Sequence, residues 1–329
     1  MKKALQSLVL LLALLMVPVA ANADARLVTL NTVVGDLDNN NAVTIADVSA
    51  LINYLLTGNA SSVNLAAADC NQDGEVRIND VTALIDYLLS GNWPWVVPEV
   101  ETFTVNGVTF NMVLVEGGTF TMGASEDDED ASYNEKPAHE VTLSSYSIGE
   151  TEVTQELWLA VMGSNPSRFT GDLTRPVECI DWNDCQSFII NLNQLTGKTF
   201  RLPTEADWEF AARGGNKSEG YKYAGGNDLN EVAWYRGNSS SKTHQVATKA
   251  PNELGLYDMS GNVFEWCNDW YDSYTDTEGQ MNPQGPSSGS NRISRGGSWD
   301  TTAEYCRSSF RLSRWPTSLN HALGLRLAL

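Results

Sequence analysis

The sequence predicts an α+β protein in two parts, a small all-α module followed by a larger, loop-rich domain of mixed helices and strands. A repeat marks the module, because Asp36 and Tyr54 recur 33 positions later as Asp69 and Tyr87. Each copy passes from an acidic loop into a stretch with the apolar period of a helix. Beyond residue 101 the chain changes to short β-like runs broken by glycines, as in 108–122. The 329 residues are enough for two domains with a real core in at least one.

Changes in composition divide the chain into five segments. They are an export leader (1–23), a linker (24–34), the repeat module (35–91), a second linker (92–101) and the large domain (102–329). In the leader, Lys2 and Lys3 precede an apolar run, and a small-x-small motif ends at Ala23. This pattern predicts a protein that is secreted or periplasmic after cleavage near Ala23. No later apolar run reaches the roughly 20 residues that a membrane span requires.

The chain is strongly acidic, with a formal net charge of −20 at pH 7. Such a charge repels nucleic acid and anionic membranes, so we expect neither as a partner.

An exported chain also meets an oxidising environment, in which disulfides form. Cys179, Cys185, Cys267 and Cys306 allow three pairings, among which the sequence does not choose, and Cys70 is expected to be unpaired. We take Cys267–Cys306 as the working hypothesis.

Oxygen-bearing side chains alternate along the loop that opens each repeat. The candidate ligands are Asp36, Asp38, Asn40, Thr44 and Asp47 with the carbonyl of Ala42 in the first loop, and Asp69, Asn71, Asp73 and Asp80 with the carbonyl of Glu75 in the second. Calcium takes about six to eight oxygen ligands on a tight turn, and this spacing supplies them. Asn41 and Gly74 fill the sharp-turn positions. The alternative is an acidic helical pair without metal, but two loops in register favour two calcium ions.

The repeat pair over 35–91 resembles a type I dockerin. That resemblance implies docking onto a cohesin-like protein or a carbohydrate-processing assembly. At loop positions 10 and 11 the chain has Ile45-Ala46 and Ile78-Asn79, where many dockerins carry small hydroxyl residues. The class of partner therefore stays open.

Five ordered motifs occur in the large domain. They are GGTFTMG (117–123), ETEVTQ (150–155), RLPTEADWEFAARGG (201–215), GLYDMSGNVFEWC (255–267) and RGGSW (295–299). Together they resemble the formylglycine-generating, or sulfatase-modifying, enzymes over essentially all of Val113–Leu327. The resemblance implies a variant of the C-type lectin fold. By position it also implies one calcium site, formed by the carboxylates of Asp258 and Glu265 and the carbonyls of Gly261 and Val263. The alternative is that these acids cap backbone groups.

The residues that would carry oxidase chemistry are incomplete. Catalytic members of that family hold copper with two cysteines, and the corresponding positions here are Thr301 and Cys306. Cu(I) selects soft thiolate ligands, for which a threonine hydroxyl is a poor substitute. Ser298 is retained from the family's Gly-Gly-Ser turn, but an expected asparagine is Ala322. We therefore expect no copper and name no catalytic residue, with Cys306 and Ser298 as remnants.

The segment between Trp299 and Leu325 favours a binding module. A regular frame consists of Trp299, Ala303, Cys306, Arg307, Arg311, Pro316, Gly324 and Arg326. The side chains between frame positions share no charge, size or period, which is typical of a surface. The candidate ligand-binding residues are Thr301, Tyr305, Phe310, Leu312, Arg314 and Trp315. The segment resembles that of family relatives diversified by retroelements, and ordinary drift in a structural tail is the alternative.

Three function classes stay open. The chain is a secreted calcium-binding module with a protein or glycan ligand, an oxidase that matures sulfatases, or an accessory component of a polysaccharide-processing assembly. Thr301 argues against the oxidase, and the calcium loops favour the accessory role.

Overall fold

The computed structural model describes seven stretches of the chain, which are 33–40, 42–61, 63–71, 76–90, 100–125, 128–275 and 279–329. The predicted leader and most of both predicted linkers lie outside these stretches. The chain divides into two compact units, Met1–Val97 and Pro98–Leu329. Within the described residues, no helix is both long enough and apolar enough to span a bilayer.

The small unit is helical, as the repeat predicts. Its helices are α1 (Ile45–Thr57), α2 (Leu65–Ala68) and α3 (Ile78–Ser90). Thr44 caps α1 through a capping box with Asp47, and the helix ends at Gly58, which has a φ of 69° and donates its N–H to the carbonyl of Tyr54. Glycine adopts this left-handed conformation without a Cβ clash, which suits it to the C-cap. Gly91, its equivalent in the second repeat, lies outside the described residues.

One small apolar core holds α1 against α3. Its fully buried members include Leu37, Leu51, Val81 and Leu84. Both helices have only 13 residues, and a core of this size provides little free energy against the chain entropy lost on folding. A cation bound in the acidic loops that precede the helices would add to the stability of such a unit.

The described part of the large unit contains three sheets. In chain order the strands are β1 (Val100–Val105), β2 (Val108–Val115), β3 (Gly118–Met122), β4 (His139–Leu143), β5 (Tyr146–Gly149), β6 (Phe264–Trp270), β7 (Gln280–Met281), β8 (Arg292–Arg295), β9 (Arg311–Arg314) and β10 (Leu323–Gly324). The sheet orders are β1–β2–β5, β3–β4–β7 and β10–β6–β8–β9. Pairing is antiparallel except for β4–β7 and β6–β10, which are parallel. Mixed helices and sheets confirm the α+β class.

Helices pack beside these sheets and begin at polar caps. They are α4 (Gln155–Met162), α5 (Trp182–Thr196), α6 (Glu205–Ala212) and α7 (Leu229–Val232). The side chains of Thr154, Asp181 and Thr204 accept backbone N–H groups from the first turns of α4, α5 and α6. Thr204 forms a capping box with Asp207, and α5 ends at Gly197 with a φ of 68°.

Two apolar clusters fill most of the large unit. The first includes Trp158, Phe188, Phe264, Trp266 and Phe310. The second surrounds α6 through Trp208 and Phe210. All eight residues of α6 are buried, including Glu205 and Glu209. Buried carboxylates require partners, which here are Arg295 and Arg311 from the C-terminal part of the chain, together with Arg213 at Glu209.

Buried arginines and glutamates fix the path of the C-terminal segment. The pairs are Arg295–Glu209, Arg307–Glu135, Arg311–Glu205 and Arg326–Glu265. Arg307, Arg311 and Arg326 belong to the predicted frame, and their side chains are buried. The frame residues Trp299 and Cys306 are buried as well. Frame positions 303 and 316 are half-buried. Most of the frame therefore lies in the interior of the large unit.

Candidate functional site

The first acidic loop brings three carboxylates together. Oxygen atoms of Asp36, Asp38 and Asp47 lie within 4.8 Å of one another. Asp47 is fully buried, and its two carboxylate oxygens accept the N–H groups of Leu37 and Thr44, both at 2.8 Å. These backbone donors hold the side chain in the loop. Like charges this close repel, and a bound cation would remove the repulsion.

The other predicted ligands of this loop surround the same turn. Asn40 donates a side-chain N–H to Asp38 at 2.8 Å, and its side-chain oxygen accepts the N–H of Ala42 at 2.8 Å. The Thr44 hydroxyl donates to Asp47 at 3.2 Å. Oxygen atoms at all the predicted positions thus lie on one short loop, as a hard-cation site requires.

The second loop repeats this pattern where it is described. Asp80 takes the place of Asp47, and its carboxylate accepts the N–H groups of Asn71 at 3.0 Å and Arg77 at 2.7 Å. Asp69 stands at the C-terminal end of α2. Outside the described residues lie Asn41, Asp73, Gly74 and Glu75.

The carboxylate of Glu265 in the large unit is engaged by protein donors. Arg326 Nη2 lies 2.8 Å from its Oε1, and Trp208 donates its indole N–H to Oε2 at 2.6 Å. Gly261 has a φ of 87°, and a Cβ there would lie 2.4 Å from the carbonyl oxygen of Trp234, so packing alone requires glycine. Glu265 is thus engaged by a guanidinium and an indole within the described residues, and the calcium site expected at Asp258, Gly261, Val263 and Glu265 stays a prediction.

Asp258 and Glu152 are buried acids near Glu265. Asp258 accepts the N–H of Ala247 through Oδ2 at 2.8 Å, while its buried Oδ1 has no partner among the described residues. Glu152, which sequence reasoning missed, accepts the N–H of Val263 at 3.0 Å. Burial raises the pKa of Asp258 to about 6. Burial, and then the charges of Asp258 and Glu265, raise the pKa of Glu152 well above its usual range. The unpartnered Oδ1 keeps Asp258 a candidate cation ligand.

The positions of the two copper cysteines hold one thiol. Cys306 Sγ lies 4.0 Å from the hydroxyl of half-buried Thr301, which donates to the carbonyl of Ser298 at 3.0 Å. The Ser298 hydroxyl donates in turn to Asp300 at 2.7 Å. Burial raises the pKa of the Cys306 thiol to about 12, so it is protonated at neutral pH. One buried thiol beside a hydroxyl does not fit Cu(I).

The predicted ligand surface is only partly exposed. Trp315 is 65% exposed and Tyr305 is 37% exposed, whereas Phe310 is only 7% exposed. Phe310 packs in the first apolar cluster, so its predicted place on a ligand-facing surface is wrong. Leu312 is half-buried against the same cluster, and Arg314 is half-buried as well. The backbone of β9 lies over the core, which turns these side chains inward.

Two family models match this chain. Residues 97–329 match the sulfatase-modifying factor enzyme 1-like domain. The chain belongs to this family. Residues 34–89 match the dockerin type I domain, so both resemblances seen in the sequence are confirmed. The sulfatase-modifying factor domain has the α+β, C-type-lectin-like fold expected of its family.

Relatives of the sulfatase-modifying factor domain carry different names. "Chaperone protein LppX" of Paenibacillus barcinonensis is 35% identical over 271 residues, covering 67% of this chain and 89% of the relative. The formylglycine-generating enzyme of Streptomyces coelicolor is 30% identical over 288 residues, covering 67% and 89%. Among solved structures, Treponema denticola variable protein 1 is 38% identical with a TM-score of 0.64, covering 70% of this chain and 99% of that chain. The fold is thus shared by proteins with different activities.

The cysteines of the sulfatase-modifying factor domain do not form the expected disulfide. All five cysteines of the chain are unbonded. Cys267 packs in the second apolar cluster with Trp208, while Cys306 packs in a separate cluster with Tyr223. The hypothesis of a Cys267–Cys306 pair is therefore wrong, because each thiol is buried among different side chains. Cys70 is unpaired, as predicted.

Sequence reasoning also missed a group around Arg292 in the sulfatase-modifying factor domain. The Arg292 Cζ atom lies 3.8 Å from the ring centroid of Trp182 and 3.5 Å from that of Trp270. The backbone N–H of Trp182 donates to the carbonyl of Pro316 at 2.9 Å, which joins the group to the C-terminal segment one residue after exposed Trp315. These residues come from distant parts of the chain, so no local pattern could have joined them.

Proposed function

We propose that this protein is a secreted, dockerin-bearing calcium-binding protein whose sulfatase-modifying factor domain binds a ligand and performs no oxidation. The observation that carries the proposal is the single thiol of Cys306. Thr301 stands where a second copper ligand would be, and its hydroxyl is committed to the carbonyl of Ser298. The site therefore lacks the two soft ligands that Cu(I) oxidation chemistry requires.

Exposed apolar side chains support ligand binding. Trp315 and Leu319 are each 65% exposed and Tyr305 is 37% exposed. They belong to a segment anchored by the buried arginines 307 and 311. Side chains on an anchored backbone lose little entropy on binding. Similarity to a protein named variable protein 1 supports the hypothesis that this C-terminal segment is diversified among relatives.

The dockerin module supports attachment to a partner outside the cell. Dockerin type I domains bind calcium and interact with cohesins, and proteins that carry them are typically extracellular. We infer two calcium ions in loops 36–47 and 69–80 and one at Asp258. A cohesin-like protein would then hold the chain in a polysaccharide-processing assembly, after export directed by the leader at 1–23.

An oxidation assay distinguishes the proposal from a formylglycine-generating oxidase. The full chain is incubated with copper, oxygen and a cysteine-containing sulfatase peptide, and the peptide is analysed by mass spectrometry. We expect an unmodified peptide with both the wild type and Cys306→Ser, because one protonated thiol does not hold Cu(I). Peptide oxidation by the wild type that disappears in Cys306→Ser would overturn the proposal.

A further inference from the structure

Two arginines of the sheet β10–β6–β8–β9 differ from their neighbours in having no acidic partner. Arg292 and Arg314 lie directly opposite each other in the antiparallel pair β8–β9, which places their Cβ atoms about 5 Å apart. Neither forms a salt bridge with any described residue, whereas Arg295 and Arg311 on the same two strands each pair with a buried glutamate. Since both unpaired side chains are half-buried, they remain partly open to solvent.

The faces of the Arg292 guanidinium are covered, but part of its edge is unused. The Trp182 and Trp270 rings lie at 3.8 and 3.5 Å from its Cζ atom. Nη1 donates to the carbonyl of Asn268. Nε has no partner within the described stretches but is itself buried, and no described residue accepts a hydrogen bond from Nη2, which leaves Nη2 as the donor that an anion can reach. An anion that approaches this side chain must therefore do so in the guanidinium plane, which is the direction of its N–H groups.

Arg314 offers a second set of unused donors. Its Cζ atom lies 4.7 Å from the ring of Phe264, and its Nε donates to the hydroxyl of Ser294 at 3.0 Å. No described side chain or carbonyl accepts a hydrogen bond from its Nη1 or Nη2. β9 is the outer strand of its sheet, so this donor group stands at an edge that a ligand can approach.

Burial without a counter-charge is unfavourable for both side chains. Burial lowers the pKa of Arg292 and Arg314, because the charges of Asp269 and Asp300 offset it only in part. A partly desolvated cation gains free energy when an anion forms hydrogen bonds to it. An acidic group bound to the two arginines would therefore be stabilised electrostatically.

We propose that Arg292 and Arg314 bind the acidic groups of a polysaccharide, with exposed Trp315 contacting a sugar ring. This inference rests on the proposed ligand-binding function and names its ligand class. Guanidinium N–H groups match the oxygens of carboxylate and sulfate groups. Trp315, which follows Arg314 in the chain and is 65% exposed, offers a flat apolar face to a neighbouring sugar ring of an extended polymer. The net charge of −20 repels polyanions at long range, so binding depends on this local pair.

Calorimetric titration of the full chain tests the inference. The probes are polygalacturonate, chondroitin sulfate, neutral dextran and polyglutamate, all at one salt concentration. We expect binding to at least one acidic polysaccharide and none to dextran. Arg292→Gln and Arg314→Gln should each weaken that binding by about tenfold or more, because a charged hydrogen-bonding partner is lost. Arg168→Gln is the matched control, since Arg168 is exposed and also carries one positive charge. It should change the affinity by less than about twofold.

Several results would overturn the inference. They are the absence of binding to both acidic polysaccharides, equal losses in all three variants, and tighter binding of polyglutamate, which would indicate an acidic peptide instead. Arg314→Lys keeps the charge but not the planar fork, and it should fall between the wild type and Arg314→Gln. Melting temperatures identify any variant that fails to fold. The peptide oxidation assay does not depend on these arginines, so it tests the proposed function separately.

Discussion

The carboxylate of Glu135 is held by the guanidinium of Arg307 through two hydrogen bonds of 2.7 Å. Both side chains are buried, and the residues are 172 positions apart in the chain. The pair therefore connects the loop before β4 to the C-terminal segment. A charge left in that interior without its partner would lose hydration and have no compensating interaction.

Removal of this carboxylate should destabilise the large unit strongly. We expect Glu135→Ala to lower the free energy of unfolding by about 3–5 kcal/mol, since buried Arg307 would lose its hydrogen-bonded partner and keep the carboxylate of Asp128, 3.6 Å from Nη1, as its nearest acidic group. The control is Glu101→Ala, which removes the exposed pair of Glu101 with Lys198 and should cost less than about 1 kcal/mol. Urea denaturation measures both. Similar losses in the two variants would contradict the structural role of Glu135.

Phe310 and Trp315 should respond differently to truncation. Phe310 is 7% exposed and packs in the first apolar cluster, whereas Trp315 is 65% exposed. We expect Phe310→Ala to cost about 3–5 kcal/mol and Trp315→Ala to stay within about 0.5 kcal/mol of the wild type. Thermal denaturation of the two variants decides this. A large loss of stability in Trp315→Ala would show that the exposed segment is part of the core.

Removal of calcium should unfold the dockerin module. Because its two helices bury a small core, we expect a chelator to reduce the helical circular dichroism of the full chain, and added calcium to restore it. Asp47→Ala and Asp80→Ala should each remove one high-affinity site in calorimetry, since each replaces the buried acid of one loop. Ser49→Ala serves as control, because Ser49 is on the exposed face of α1. Unchanged calcium binding in both acidic variants would refute the two-site assignment.

Asp269 should make stability depend on pH. Burial, and then the charge of Glu205, raise its pKa from 3.8 to about 7. Between about pH 4 and pH 7 the folded state therefore keeps a proton that the unfolded state releases. The contribution of this carboxyl to the free energy of unfolding is fully present below about pH 4 and is lost as pH rises to about 7. The loss is roughly 4 kcal/mol at most. As pH rises from about 4 to about 7, the free energy of unfolding of Asp269→Asn should increase relative to that of the wild type. Above about pH 7 the difference should stay constant. Urea denaturation of both proteins at several pH values measures this difference in the free energy of unfolding. A difference that does not change with pH would disprove the raised pKa of Asp269.

Local signals in the sequence were sufficient for the helix ends. Thr204 and Asp207 predict a helix start because a capping box depends on residues only three positions apart. The candidate site depends on longer distances along the chain. Glu152 reaches Val263, and Arg292 reaches Trp182, only through tertiary packing, for which one sequence has no local pattern.

The exposure of the C-terminal segment was harder to predict for a related reason. Phe310 and Leu312 are two residues apart and both face apolar side chains, as the period of a β-strand requires, but β9 has only four residues and follows an irregular loop. Short irregular segments carry no period from which burial can be inferred. Their diversity of size and charge is therefore compatible with an interior position as well as with a surface.

The anchors of the C-terminal segment lie outside the segment itself. Glu135 and Glu205 hold Arg307 and Arg311, so the backbone path does not depend on which residue occupies an exposed position such as Trp315. Substitutions at that position leave the anchors intact and change only what the surface presents. A combinatorial library built at exposed positions of this segment therefore starts from a backbone that is already specified.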